Sequence, residues 1–194
     1  MPVAFFRRSA DIVARELIGA EVMSAVNGAP TAGRIVETEA YLGHSDPASH
    51  GYLGRRNLRN AALYAPAATW YVYLSYGLHW CANLVCERAG NAQAVLLRAL
   101  EPTQGLAVMR RRRGGVADRV LCAGPGRLCQ ALGITRELDG TPMPGAPVVV
   151  RRASGLDSEE PVVVSTTRVG ITKAADWPLR FLLAGSTYVS KRAQ

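Results

Sequence analysis

Apolar positions along the chain recur with two periods, and each period assigns elements. Ile12, Val13 and Leu17 follow helical spacing, with Ser9 placed to cap the helix and Gly19 to stop it. A strand follows at residues 22–26. Asn27-Gly28 then offers a turn, which Pro30 widens beyond a two-residue hairpin. A second strand opens at Ile35-Val36. In TWYVYLSY, residues 69–76, strict alternation puts Trp70, Val72 and Leu74 on one face and Tyr71 and Tyr73 on the other. Tyr76-Gly77 reads as a turn, HWCANLVC (79–86) as the returning arm, and 93–100 as a third apolar strand. Helical spacing resumes over 103–113 and in CAGPGRLCQALGI (122–134), where Leu128, Ala131 and Leu132 face inward. Strands are predicted at 147–151 and 161–166, then the segment RVGI (168–171). The stretch PLRFLLAGSTYVS adds a last strand or turn.

The polar exceptions to this pattern carry the chemistry. In RIVETEAYLGHSDPASH (34–50), alternation aligns Glu37, Glu39 and Tyr41 on one face, with Val36, Thr38 and Ala40 opposite. Carboxylates are rarely buried unless paired, and strands are depleted in Glu. Two readings are open. The acids serve acid/base chemistry beside the loop-borne His50, or they form the solvated face of an edge strand. Arg98, inside AVLLRAL, needs a carboxylate partner if buried, and Glu37 and Glu39 are the candidates. Asn83 interrupts a strand, so its amide must find partners. Residues 43–68 form a loop of functional length that carries Arg55, Asn57, Arg59 and Asn60.

Composition sharpens the picture. At 194 residues, 48% of them hydrophobic, one domain spanning 1–194 is expected. Lys and Arg number 23 against 15 Asp and Glu, and only Lys173 and Lys191 are lysines. A net charge of +8 built from arginine points to a polyanion such as nucleic acid, although an Arg-rich genome would explain part of the Arg-over-Lys bias. Arg110 to Arg113 read as a solvated helix end. Arg127, at the start of a helix, is a candidate phosphate ligand beside the ordinary reading of a plain helix N-terminus. Cys81, Cys86, Cys122 and Cys129 lack zinc spacing and read as reduced core thiols of a cytoplasmic protein. No stretch has the length of a signal or membrane-spanning segment.

A carboxylate, an orienting arginine, stackable aromatics and a basic loop suit hydrolysis at a sugar carbon of a nucleic acid. The motifs GRIVETEAYLG-x2-D-x3-H, YVYLSYG, VLLRALEP-x2-G, CAGPGRLCQALGI and RVGI resemble those of the alkyladenine DNA glycosylases, in order and over most of the chain. The resemblance implies a single compact mixed α/β (α+β) domain, a curved antiparallel sheet surrounded by helices. It implies a monomer that needs no metal or cofactor and acts on double-stranded DNA bearing a damaged purine, in the cytoplasm at the nucleoid. Glu39 is implied as the general base, with Arg98 and the Val169 carbonyl holding the attacking water. Tyr41, His50 and Tyr73 are implied as the base-stacking pocket, and Asn83 as the residue that excludes normal guanine. Tyr76 is implied as the wedge that fills the vacated stack. Arg55, Asn57, Arg59, Leu63, Leu78 and Arg127 fall where the family contacts DNA. The spacing alone does not choose between Glu37 and Glu39; the motif does. The chain departs from the family in lacking a glycine before YVY, and in carrying Ser75 and Trp80 beside the wedge. A non-catalytic nucleic-acid-binding module and a hydrolase of free nucleosides remain as alternatives, the first leaving the acid pair unexplained, the second the basic loop.

Overall fold

The computed structural model describes residues 1–152 and 160–191. Two short helices, α1 (Val3–Phe6) and α2 (Ala10–Glu16), lead into strands β1 (Glu21–Ser24) and β2 (Thr31–Tyr41). Strands β3 (Trp70–Ser75), β4 (His79–Cys86) and β5 (Gln93–Gln104) come next. Helices α3 (Leu106–Arg112), α4 (Asp118–Leu121) and α5 (Pro125–Leu132) follow, then β6 (Val148–Arg151), β7 (Val163–Thr166) and β8 (Arg180–Leu183). All the strands join one antiparallel, open sheet in the order β3-β4-β5-β2-β1-β6, and β8 and then β7 branch from β2. This is a single compact domain of mixed α/β class.

β2 is the spine. One edge pairs with β5 along its length; the other is shared, with β1 against Thr31–Arg34 and β8 against Glu37–Glu39. Between them, Ile35 exchanges backbone hydrogen bonds with the 19–20 corner. Every part of the strand is thus covered, and Glu37 and Glu39 are fully buried (0% exposed). The reading of a solvated acidic edge is corrected: the pattern is compatible with an edge, but β8, brought back from the far end of the chain, covers it.

The β2–β5 register slips between Ile35 and Glu37 and again before Thr38, leaving Val36 and Arg98 without opposite partners. Such bulges re-aim side chains. Ile35, with Ala40, therefore joins the main core, whereas uninterrupted alternation places Val36 there. That core packs α2 and α5 against the sheet around Trp70, Leu84, Leu97 and Leu100. Trp70 buries its whole ring and donates its indole N–H to the Val148 carbonyl (3.0 Å), as a buried indole must. All four cysteines are buried and free, and burial raises their thiols, Cys122 to about 12.

Three differences from the pattern reading have local causes. β5 runs on to Gln104, and left-handed Gly105 then starts α3 at Leu106. Leu74 is exposed because the β3–β4 hairpin projects beyond the core. The arginine run closing α3 ties helices together. Arg110 pairs with Asp118, Arg112 donates to the Ala131 carbonyl (3.0 Å), and Arg113 donates to the Leu121 carbonyl (3.1 Å).

Gly43 turns the chain out of β2 with φ +65°, and a Cβ there would strike the Asn91 carbonyl. Gly43→Ala combines left-handed strain with overpacking. A loss of about 2–4 kcal/mol is expected in urea unfolding, and an unchanged midpoint would refute the close approach.

Candidate active site

Glu37, Glu39 and Tyr41 share one face of β2, but their surroundings divide them. Glu37 is closed in by its partners. The Arg98 and Arg180 guanidinium Nε groups each donate to its Oε1 at 2.8 Å. The Ser190 amide (2.5 Å) and hydroxyl (2.8 Å) complete the set. Glu39 meets a different group. Its Oε1 accepts from the Val169 amide (2.7 Å) and faces Arg98 Nη1 (3.2 Å); its Oε2 accepts from the Tyr41 hydroxyl (2.9 Å). Arg98 bridges the two acids. Burial works against its charge, but Glu39 and then Glu37 outweigh that and raise its pKa. The resemblance implied a role for the Val169 carbonyl; the group that reaches Glu39 is the Val169 amide.

A second buried ion pair positions that amide. Arg168 grips both oxygens of Asp46 (2.5 and 2.9 Å) and donates to the Ala40 carbonyl (3.1 Å), with neither side chain exposed. Its guanidinium lies 4.8 Å from the Tyr41 ring centroid. Asp46 also accepts from the Leu42 and Ala48 amides, so one carboxylate fixes the loop after β2 to the loop before β8.

On β3 and the loop after β2, Tyr71, Tyr73 and His50 form an aromatic cluster. Burial, then Glu39, raises the Tyr41 phenol; burial, then Cys81 and Tyr41, raises the Tyr73 phenol. The His50 ring meets Tyr73 edge-on with centroids 4.6 Å apart, and its Nδ1 lies 2.7 Å from the Tyr71 hydroxyl. His50 itself is exposed, but packing against the tyrosines still lowers its pKa. Asn83 is buried on β4 opposite Tyr71, and its Nδ2 donates to the Tyr71 (3.0 Å) and Cys81 (3.3 Å) carbonyls.

The expected DNA contacts fall on two projections. At the β3–β4 tip, Tyr76 and Gly77 have φ +50° and +70°, the signs a type I′ turn requires, and the Leu78 amide closes the turn on the Ser75 carbonyl. Tyr76 is 90% exposed and Leu78 75%. α5 starts against this hairpin, where a Cβ on Gly126 would meet His79, so the exposed Arg127 belongs to the same surface. On the 52–59 loop, Arg55 and Arg59 are exposed, and Asn57 Oδ1 accepts the Arg59 and Asn60 amides to shape the turn. Leu63 is corrected. Only 3% exposed, it packs with Tyr64, Tyr71, Val85 and Ala94 and supports the loop from beneath.

Sequence reasoning missed Tyr71, Asp46, Arg168, Arg180, Ser190 and the exposed leucines Leu53 and Leu58. Arg180 carried a usable signal, because it breaks an apolar run just as Arg98 does. Among the described residues no group of three or more His, Cys, Asp or Glu is placed to hold a metal, and no helix is long and apolar enough to cross a membrane. Two surface clefts, of about 250 and 160 Å³, are lined by Arg34, Glu101 and the 183–188 turn, and by residues around Val26 and Ile134; neither includes these groups.

The domain thus joins a buried carboxylate held by an arginine, a cluster of aromatics and two exposed segments that carry arginines and apolar tips. Comparison with known proteins gives the class. The sequence profile of the methylpurine-DNA glycosylase family matches residues 4–187. A protein of Rhodopseudomonas palustris is 52% identical over 186 residues, covering 96% of this chain and 88% of its own. One of Methanoculleus marisnigri is 49% identical over 193 residues, covering 99% of each. Each bears the name "Putative 3-methyladenine DNA glycosylase". The chain belongs to the methylpurine-DNA glycosylase family, and is a DNA glycosylase, a hydrolase of N-glycosyl bonds.

Glu37 shares the strand face of Glu39, and a spare acid there would be dispensable. Its two guanidiniums and its hold on Ser190 make it structural instead. Glu37→Gln leaves two buried guanidiniums short of charge and is expected to cost about 3 kcal/mol or more. Urea unfolding of the variant measures this, and a loss below about 1 kcal/mol would contradict the assignment.

Proposed function

We propose that the protein extrudes alkylated or deaminated purines from duplex DNA and hydrolyses their bond to deoxyribose with a water activated by Glu39. The substrates are 3-methyladenine, 7-methylguanine, hypoxanthine and ethenoadenine, and the product is an intact abasic site. The supporting observation is the environment of Glu39: a buried carboxylate held by Arg98, the Val169 amide and the Tyr41 hydroxyl. Departure of the purine builds positive charge on the sugar, so a fixed carboxylate stabilises the transition state and also takes water's proton. Arg98 and Val169 act by aiming Glu39. Tyr41, His50 and Tyr73 offer the faces for the extruded base, and Tyr76 fills the stack it leaves. Glu39 is enclosed in the free protein, so base and water reach it only where neighbouring side chains move.

The reading is tested with labelled duplexes that each carry one lesion, scored for alkali-sensitive abasic sites. Glu39→Gln keeps shape and removes charge and base. Excision is expected to slow by ~10²-fold or more while duplex binding is retained, and near-parental excision would exclude Glu39 as the base.

Duplex affinity is expected to fall steeply with salt. Replacing Arg55 and Arg59 by Ala should weaken binding to all sequences alike, and the log–log salt slope should become shallower by about 0.9 for each phosphate no longer neutralised. An unchanged slope in titrations from low to moderate salt would remove both residues from the interface.

A further inference from the structure

Tyr71 lies outside the set of residues that the family resemblance implies, yet three residues of that set lean on it. His50 Nδ1 meets its hydroxyl at 2.7 Å, the Tyr73 ring stacks on it with centroids 5.4 Å apart, and Asn83 donates to its carbonyl at 3.0 Å. Its own ring is buried, packed with Leu63, Tyr64 and Val85.

The direction of the His50–Tyr71 hydrogen bond follows from proton counting. A phenol has one proton, and among the described residues His50 Nδ1 is the hydroxyl's one hydrogen-bond partner. Were Nδ1 the donor, the phenolic hydrogen would sit buried with no acceptor, which is costly. The phenol therefore donates and Nδ1 accepts. A neutral imidazole that accepts at Nδ1 carries its proton on Nε2. Desolvation opposes both ionisations that would undo this: burial raises the Tyr71 phenol, and the tyrosines packed on the imidazole lower His50. The titratable groups facing the ring are Tyr71 and Tyr73 of β3. On its own loop, Asn60 reaches its backbone carbonyl, and Arg55 is joined to that network through its carbonyl.

We propose that Tyr71 is a positioning residue that locks His50 as the neutral Nε2–H tautomer, so that the pocket presents a fixed donor without a positive charge. The consequence for specificity rests on the function proposed above. A purine nucleotide methylated at N3 or N7 carries a cationic base, and an imidazolium beside it would repel it; a neutral imidazole does not. Hypoxanthine is uncharged and is spared that repulsion. Tyr71 thus sets the balance between cationic and neutral lesions while touching neither.

Two measurements test this. Two-bond proton–nitrogen correlation spectra of the imidazole groups in the intact protein should show His50 as a single neutral Nε2–H tautomer at neutral pH. An Nδ1–H tautomer or an imidazolium would overturn the proposal, and this result needs no variant. In Tyr71→Phe, His50 should titrate at higher pH, because the hydrogen bond removed favoured the neutral ring. Single-turnover excision of 7-methylguanine should then fall relative to hypoxanthine between about pH 7.5 and 5.5. The expected relative loss is roughly tenfold, the scale of one net hydrogen bond. A purely structural role would slow both lesions together and leave their ratio independent of pH, which would also overturn it. If the wild-type protein cuts neither duplex, the proposed activity fails while the tautomer assignment stands or falls on its spectrum.

Discussion

The buried charge network on β2 sets the terms for the rest of the fold. Two carboxylates two residues apart on a fully covered strand face cannot stay ionised in a protein interior unless each is matched, because removing a charge from water costs several kcal/mol even after relaxation. Matching them takes groups from distant parts of the chain. Arg98 comes from the neighbouring strand, Arg180 from β8, Ser190 from near the end of the chain, and the Val169 amide from the loop before β8. The sharing of one β2 edge between β1 and β8 delivers these groups. The bulge that leaves Arg98 unpaired in the ladder lets one guanidinium reach both acids. The topology and the electrostatics are a single constraint seen from two sides.

The same constraint separates structure from chemistry within the pair. Glu37 uses its oxygens on two guanidiniums and both polar groups of Ser190, so it has little left to offer a substrate. Glu39 is held by fewer charged partners, and among the described residues one of its oxygens meets only the Tyr41 hydroxyl. Arg168 then sits at a crossing point. It binds Asp46 on one side, backs the Tyr41 ring on another, and is the residue before Val169. One buried ion pair therefore fixes an aromatic face and an amide on the candidate base together.

How much of this is legible in the sequence depends on the range of the interaction. Alternation along β2 and β3 is local, and it reads correctly for the acids and the tyrosines. So does the rule that an arginine in an apolar strand must find a carboxylate, which pairs Arg98 with both glutamates. The same rule applied to Arg180 finds the third member. What separates Glu37 from Glu39 is not legible from spacing, because it depends on Ser190 and Val169, 153 and 130 positions away. The burial of Leu63 and the exchange of Ile35 for Val36 in the core are also out of reach. Both turn on local irregularities, a 3₁₀ turn and a bulge, that a simple period cannot express.

The exposed surface meets the buried network from the opposite direction. A small protein gains by hiding large apolar side chains, yet Tyr76, Leu78, Leu53 and Leu58 stand out at 90, 75, 71 and 94% exposure, with arginines between them. Tyr76 also occupies a left-handed position that a bulky residue adopts at a cost of about 1 kcal/mol or more. Folding alone gives no return on that arrangement. Insertion between stacked bases, the role proposed for Tyr76, would, since an aromatic–base stack is worth ~1–3 kcal/mol and exposed arginines can neutralise phosphates. The buried network needs a rigid frame, and the proposed wedge needs a free tip. The β3–β4 hairpin has its root in the core at Trp70 and its end in solvent at Tyr76. Tyr71 and Tyr73 lie between, on the strand that runs from the core to that exposed tip.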